Sequence, residues 1–304
     1  MAKKYHMEWL FIALIPPISW ALASVFDKIL VSKYVKEGIA AGILTNTFSG
    51  IVALLLLPFI SLKSLSFSAT LLFLCIGVIW GWNRLTYTKA MSMEEASRVL
   101  TIAQMSPVII LIGSTIFFGE ILRPIDFIAF LLILIGVVWI SLKKVAGKFH
   151  VTKAIWWMIP NVLLFALTTL MLKLTEISDW PIALFWINIG FVVGCLPLAF
   201  LPKYYSEIKR SISGKLLTIV GVLLSINLLT SLGRASYFVA LQKAPAAIVS
   251  VLAGTQSIFV FFLAILLTFY FPKVLKEDHH VSTLLSKFLA IVLILIGIIL
   301  LYLA

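Results

Sequence analysis

Charge is what this sequence has least of. Its 304 residues hold only 24 Lys and Arg and 12 Asp and Glu, 12% in all, against 62% hydrophobic residues and a mean hydropathy of +1.14. A soluble domain carries about 25% charged and about 45–50% apolar residues, so a water-soluble enzyme, a secreted scaffold and a disordered regulator are all excluded. Cysteine is equally scarce. Cys75 and Cys195 both lie inside apolar runs and form no CxxC pair, which leaves no disulfide framework and no thiolate metal site. Carboxylates are missing from the middle of every apolar run, and Asp27, near the edge of the first, stands beside Lys28 close to the expected exit. Intramembrane carboxylates are the usual proton or sodium relays. Asp27 is therefore set aside as a proton relay, and facilitated diffusion or exchange is expected over strong ion coupling. No Walker loop, GxSxG or HExxH is present, so the chain reads as neither an ATP-driven pump nor a hydrolase. No cofactor or metal is called for. His279 and His280 are adjacent in a charged loop without ligands at useful spacing.

What the sequence does have is long apolar runs, too continuous for the alternation of a membrane β-barrel. About 20 residues cross a hydrocarbon core as a helix, and ten runs qualify: 9–31, 38–60, 68–90, 96–118, 124–142, 153–174, 181–201, 214–241, 245–271 and 284–303. The run after the charged N-terminus is too long for a signal peptide and lacks a cleavage site, so it is expected to be retained. The connections are short and polar, as in 143–148, 203–215 and 273–280. The fold class expected is an all-α polytopic membrane protein of ten transmembrane helices.

The second half repeats the first. Trp20, Ala21, Leu22, Ser24 and Lys28 return in the same spacing as Phe165, Ala166, Leu167, Thr169 and Lys173. Arg84, Tyr87, Ala90 and Ala96 return as Arg234, Tyr237, Ala240 and Ala246, and Leu132 to Gly136 returns as Leu293 to Gly297. The halves are placed at 1–148 and 149–304. Five helices in a half is an odd number, so the second half enters the membrane from the opposite side, giving inverted repeats of the kind that let one midplane cavity open to either face.

The tryptophan-alanine-leucine start, Ala90 at the end of the third run, Pro107 in the fourth and Gly119-Glu120 before a glycine-bearing fifth resemble the EamA family of the drug/metabolite transporter superfamily. The resemblance covers nearly the whole chain. It implies a plasma-membrane (inner-membrane) carrier of small metabolites, with a central cavity lined mainly by the first, third, fourth, sixth, eighth and ninth helices. Two positions depart from the pattern in the second half. Ser257 stands where Pro107 stands in the first, and no Gly-Glu answers Gly119-Glu120.

An arginine inside hydrocarbon costs about 2.5–3.5 kcal/mol even on insertion scales, so Arg84 and Arg234 are expected to face the bundle interior. They read either as a fork for an anionic or carboxylate group or as structural cations that snorkel or pair with Glu94, Glu95 or a helix end. The amides Asn83, Gln104, Asn161, Asn227 and Gln256 are candidates for the cavity wall, with interhelical hydrogen bonds as the alternative. Tyr87 and Tyr237 sit one turn beyond the arginines, and Trp20, Trp80 and Trp82 are candidate aromatic walls. Trp9, Trp156, Trp157 and Trp180 lie near span ends, as interface anchors do. Lys28 and Lys173 are expected to snorkel to headgroups. Pro16, Pro17, Pro107, Pro160 and Pro197 are expected to kink their helices, and Gly77-x3-Gly81 and Gly190-x3-Gly194 to pack helices closely within the chain.

The resulting expectation is a non-enzymatic secondary transporter of a small polar or amphipathic metabolite, with an amino acid or related compound favoured. Its substrate-binding residues would be Trp20, Asn83, Arg84, Tyr87, Gln104, Asn161, Asn227, Arg234, Tyr237 and Gln256. Other readings are a nucleotide-sugar or phosphorylated-metabolite exchanger, which would use both arginines together, and a lipid-handling or receptor protein without solute flux. Its partners are a small solute and membrane lipids, not nucleic acid, because the cations cluster between apolar runs as headgroup and topology signals do. The resemblance implies cytoplasmic termini. Only Lys3, Lys4, Lys63, Arg123, Lys173 and Lys243 fall on the terminus side, which by the positive-inside rule puts the termini outside.

Overall fold

The computed structural model describes residues 2–61, 65–94, 96–141, 153–175, 179–213, 215–260, 262–263 and 281–303. Among them the chain is helical and contains no strand. The loop expected at 143–148, the boundary between halves at 148, the loop at 273–280 with His279 and His280, and the far end of the run at 245–271 lie outside the described residues.

Before the undescribed stretch 142–152 the chain runs α1 (Ala2–Ile29), α2 (Gly38–Leu56), α3 (Phe67–Met93), α4 (Ala96–Ala103), α5 (Ser106–Phe118) and α6 (Pro124–Ser141). After it come α7 (Ile155–Lys173), α8 (Trp180–Ala199), α9 (Pro202–Ile212), α10 (Leu216–Leu241), α11 (Ala246–Gly254) and α12 (Val281–Leu303). Six helical stretches are long and apolar enough to cross a membrane: Trp9–Tyr34, Gly38–Phe59, Phe67–Met93, Ile155–Lys173, Trp180–Ala199 and Leu216–Leu241. Four of the ten expected spans are represented by shorter apolar helices, Ser106–Phe118, Pro124–Trp139, Ala246–Val260 and Phe288–Leu303.

Three local departures from the expected spans have physical causes. The first span does not stop near residue 31, because a π-helical turn, Leu30–Tyr34, prolongs α1 and buries Leu30 and Val31. The fourth span is two helices, separated at Gln104 and Met105. Pro107 opens α5, where its missing N–H leaves no bond unmade. The ninth run breaks at the corresponding place without a proline: α11 ends at Gly254, Thr255 turns, and helix resumes over 256–260. The expected polar connection at 203–215 holds a helix, α9, which exposes Lys203, Lys209 and Arg210 and packs Tyr204, Ile208 and Ile212 on the bundle. Its polar and apolar residues segregate to opposite faces, the pattern of a helix that lies along a surface.

The helices pair closely where side chains are smallest. A Cβ on Gly77 would lie 2.8 Å from the Cα of Gly190, so α3 and α8 touch backbone to backbone. Gly136 of α6 faces Ala290 and Ile294 of α12, and Gly297 of α12 faces Ala129 and Ile133 of α6, the same residue types in reverse. The most extensive pairings are α1 with α10, α3 with α8, α6 with α12, α2 with α8, and α3 with α7. One apolar core runs between them, from Leu10 and Phe73 through Ile110 to Tyr237 and Leu252.

Candidate functional site

A cavity of about 180 Å³ is lined from α1, α2, α3, the α4–α5 break, α7, α8, α10 and the break after α11. Nine of the ten residues expected at a substrate site are on its wall: Trp20, Asn83, Arg84, Tyr87, Gln104, Asn161, Asn227, Arg234 and Gln256. Tyr237 is not. It is fully buried behind the wall, donating to or accepting from Thr169 at 3.1 Å and tilted against Trp20 and Phe165.

The two arginines sit in different electrostatic surroundings. Arg84 pairs with Asp27 rather than with Glu94, and it lies 5.6 Å from the centre of the Tyr87 ring; Glu95, the other expected partner, lies outside the described residues. Asp27 corrects the sequence reading. It is 1% exposed and on the cavity wall, because the added π-helical turn places it about two turns inside the end of the span. A buried carboxylate is therefore present within a span after all. Arg234 faces no carboxylate among the described residues. Its Nε donates to the Thr230 carbonyl at 3.2 Å, and Nη2 to the Thr230 and Ser231 hydroxyls at 3.1 and 3.2 Å. Its Nη1 is buried with no hydrogen-bond partner. The guanidinium lies 4.5 Å from the centre of Phe191 and 5.9 Å from that of Trp80, within cation–π range.

The amides mostly tie the wall together. Asn83 and Asn161 each donate to the other's backbone carbonyl, at 2.6 and 2.9 Å. Asn227 donates to Thr45 and Leu223 carbonyls at 3.1 and 2.9 Å. Gln256 donates to the Trp20 carbonyl at 3.2 Å and to the Ser24 hydroxyl at 2.7 Å, and Ser24 meets Tyr87 at 3.2 Å. Gln104 donates to Ser257 at 3.4 Å, so the two helix breaks meet across the cavity.

Aromatic rings cover much of the remainder. Trp20, Trp80, Phe165 and Phe191 line it, with Phe165 centred 6.2 Å from Trp20 and 6.3 Å from Trp80. Trp82, a candidate wall, is instead 53% exposed and donates outward to Gly194. Thr45, Asn46 and Ser49 of α2 and Phe191 of α8 were missed. The resemblance puts neither helix first on the wall, and a hydroxyl or a phenylalanine in an apolar span carries no signal of its own; Asn46, an amide within a span, did carry one and was passed over because its helix was not expected at the cavity.

Away from the cavity, the lysines expected to snorkel cap neighbouring helices. Lys28 donates to the Met91 and Glu94 carbonyls, both at 3.0 Å, and Lys173 to the Leu241 and Ala244 carbonyls, both at 2.8 Å. Each cation meets the negative end of a helix, as the helix dipole favours. Lys173 also pairs with Glu120 at 3.0 Å. Gly119, at φ 63°, closes α5 in the left-handed conformation that glycine adopts without penalty. That closure lets the Glu120 carboxylate accept from the Ala246 N–H at 2.9 Å, at the start of α11.

Residues 7–142 match the EamA-like transporter family. The resemblance read from the sequence is borne out there, and it points to a multi-pass membrane transporter of the drug/metabolite type. No curated protein matches the chain. Among solved structures, one titled only as the crystal structure of a protein aligns with a TM-score of 0.68 at 16% identity, over 97% of this chain and 95% of its own. That likeness shows a shared fold.

Proposed function

We propose that this chain is a secondary carrier of the plasma membrane that moves a small polar or amphipathic metabolite bearing an anionic group, an amino acid or related carboxylate among them. Ten helices would form two inverted halves, 1–148 and 149–304, that expose one cavity to each side in turn. Equivalent contacts in the two halves support the repeat. Lys28 and Lys173 cap corresponding helices, Ser24 meets Tyr87 as Thr169 meets Tyr237, and Gly136 and Gly297 exchange places between α6 and α12. Helices broken at a cavity midway between repeats are a feature of such carriers.

The observation that carries the reading is Arg234, a buried guanidinium with one unpartnered nitrogen on a cavity wall. A clamp of both arginines on a phosphorylated solute is disfavoured by Asp27, which already occupies Arg84. The test is uptake and counterflow in proteoliposomes of the purified protein, using labelled amino acids, carboxylates, nucleotide sugars, quaternary amines and phosphorylated intermediates. Saturable flux of an anion-bearing class is expected. Absence of flux across that panel, from folded protein, would overturn the carrier reading.

A further inference from the structure

Among the described residues, three charged side chains line the cavity: Asp27, Arg84 and Arg234. The first two form an ion pair and cancel, so the wall carries one uncompensated positive charge. That charge is 6% exposed and its hydrogen-bonded partners, Thr230 and Ser231, are neutral. A buried cation without a counter-ion is a costly arrangement, and an anion received at Nη1 would complete both its charge balance and its hydrogen bonds. The side-chain nitrogens of Asn83, Asn161, Asn227 and Gln256 all donate to protein oxygens. Arg84 Nε is also buried on the wall without a hydrogen-bond partner, but the charge of that guanidinium is met by Asp27, which leaves Arg234 as the donor whose charge is unmet. The surface next to Arg234 is aromatic, from Phe191 and Trp80 onward to Phe165 and Trp20.

Resting on the carrier reading above and narrowing it, we infer that the cavity prefers solutes of net single negative charge, one anionic group on an apolar or aromatic body, over the zwitterionic amino acids which that reading also admits, with Arg234 Nη1 as the donor to that group. Asp27 is the positioning residue that sets this charge preference. By holding Arg84 it keeps the wall at one free positive charge. A dianion entering a poorly hydrated site would bring one charge with no partner, and a zwitterion would leave the cavity's own charge unbalanced.

The test uses four solutes that share a phenyl body and differ in the head: phenylpropionate, zwitterionic phenylalanine, doubly charged phenyl phosphate at mildly alkaline pH, and phenethylammonium. Binding to the detergent-solubilised protein is followed by quenching of tryptophan fluorescence, since Trp20 and Trp80 line the site. Phenylpropionate is expected to bind roughly tenfold tighter than each of the others, a difference of about 1.4 kcal/mol. Arg234→Gln should abolish that preference, with Arg234→Lys restoring part of it. Asp27→Asn, which releases Arg84, should move the ratio of phenyl phosphate to phenylpropionate affinity about tenfold toward the phosphate, a change that a merely structural role would not produce. If Asp27→Asn does not fold, the ranking on the native protein decides. Equal or tighter binding of phenylalanine or phenyl phosphate, or no binding of any of the four, would overturn the inference. Flux of some other solute in the wider panel would leave the carrier reading standing in that event. Binding of phenylpropionate without flux of anything would do the reverse.

Discussion

Asn83 and Asn161 bind each other reciprocally, side-chain amide to backbone carbonyl in both directions. The bonds join α3 to α7 at the cavity wall. They therefore couple the two helices by a neutral link, which can open without exposing a charge. Asn161 also donates to Thr86 at 3.3 Å. Interhelical hydrogen bonds in membrane proteins average about 0.6 kcal/mol each, so Asn161→Ala should cost about 1–2 kcal/mol, read as a lower thermal midpoint in detergent. The Asn83→Ala and Asn161→Ala costs should be non-additive in a double-mutant cycle.

The Asp27–Arg84 pair gives a sharper stability test. Asp27→Asn leaves a largely buried guanidinium without its counter-ion and should cost about 3 kcal/mol, as broken buried pairs do. Adding Arg84→Gln removes the stranded charge, so the double variant should recover most of the loss. Denaturation of the single and double variants in the same detergent checks both outcomes.

The glycines separate close contact from mere helix propensity. Gly77→Ala forces a methyl against the α8 backbone at Gly190, so α3 and α8 must part. A loss of about 1–3 kcal/mol is expected from overpacking. Gly221 lies inside α10 with open space around it, and Gly221→Ala should instead stabilise by about 0.5–1 kcal/mol through reduced chain entropy. Opposite signs in one thermal-shift experiment are the expected result.

The Glu120–Lys173 contact fixes the turn between α10 and α11. Lys173→Met removes a cation from two helix-terminal carbonyls and should cost about 1 kcal/mol. Glu120→Gln keeps an acceptor for the Ala246 N–H and loses only the ion pair, for at most about 1 kcal/mol. Hydrogen exchange separates the two acceptor states: the Ala246 amide should exchange faster in Glu120→Ala than in Glu120→Gln.

Much of the architecture was legible in the sequence because hydrocarbon leaves a chain few choices. Apolar runs located the helices, and Arg84 and Arg234 both face one cavity, as intramembrane cations that must turn inward are expected to. Asp27 was misplaced because a π-helical turn cannot be seen in residues Leu30 to Tyr34, all of which suit an ordinary span end. The break after Gly254 was obscured for a related reason: only proline advertises a break, whereas this one has no proline and lies where Gln104 of the facing break packs against Gly254 and Ser257. Helix α9 escaped notice because its charges resemble a loop unless the segregation of Tyr204, Ile208 and Ile212 to one face is weighed. Which lysines cap helices and which amides cross-link them depends on helix rotation, about which uniformly apolar faces say little.

One free positive charge on the cavity wall also has an electrical consequence. A carrier that reorients such a wall moves one charge when empty and none when loaded with a monoanion. Membrane voltage then acts on the return stroke and leaves delivery untouched, with a leverage of up to about 2.3 kcal/mol per 100 mV if the charge crosses the whole field. On the carrier reading, the vacant cavity would be drawn at rest to the electrically negative side, so an energised membrane would itself decide from which compartment the anion is collected.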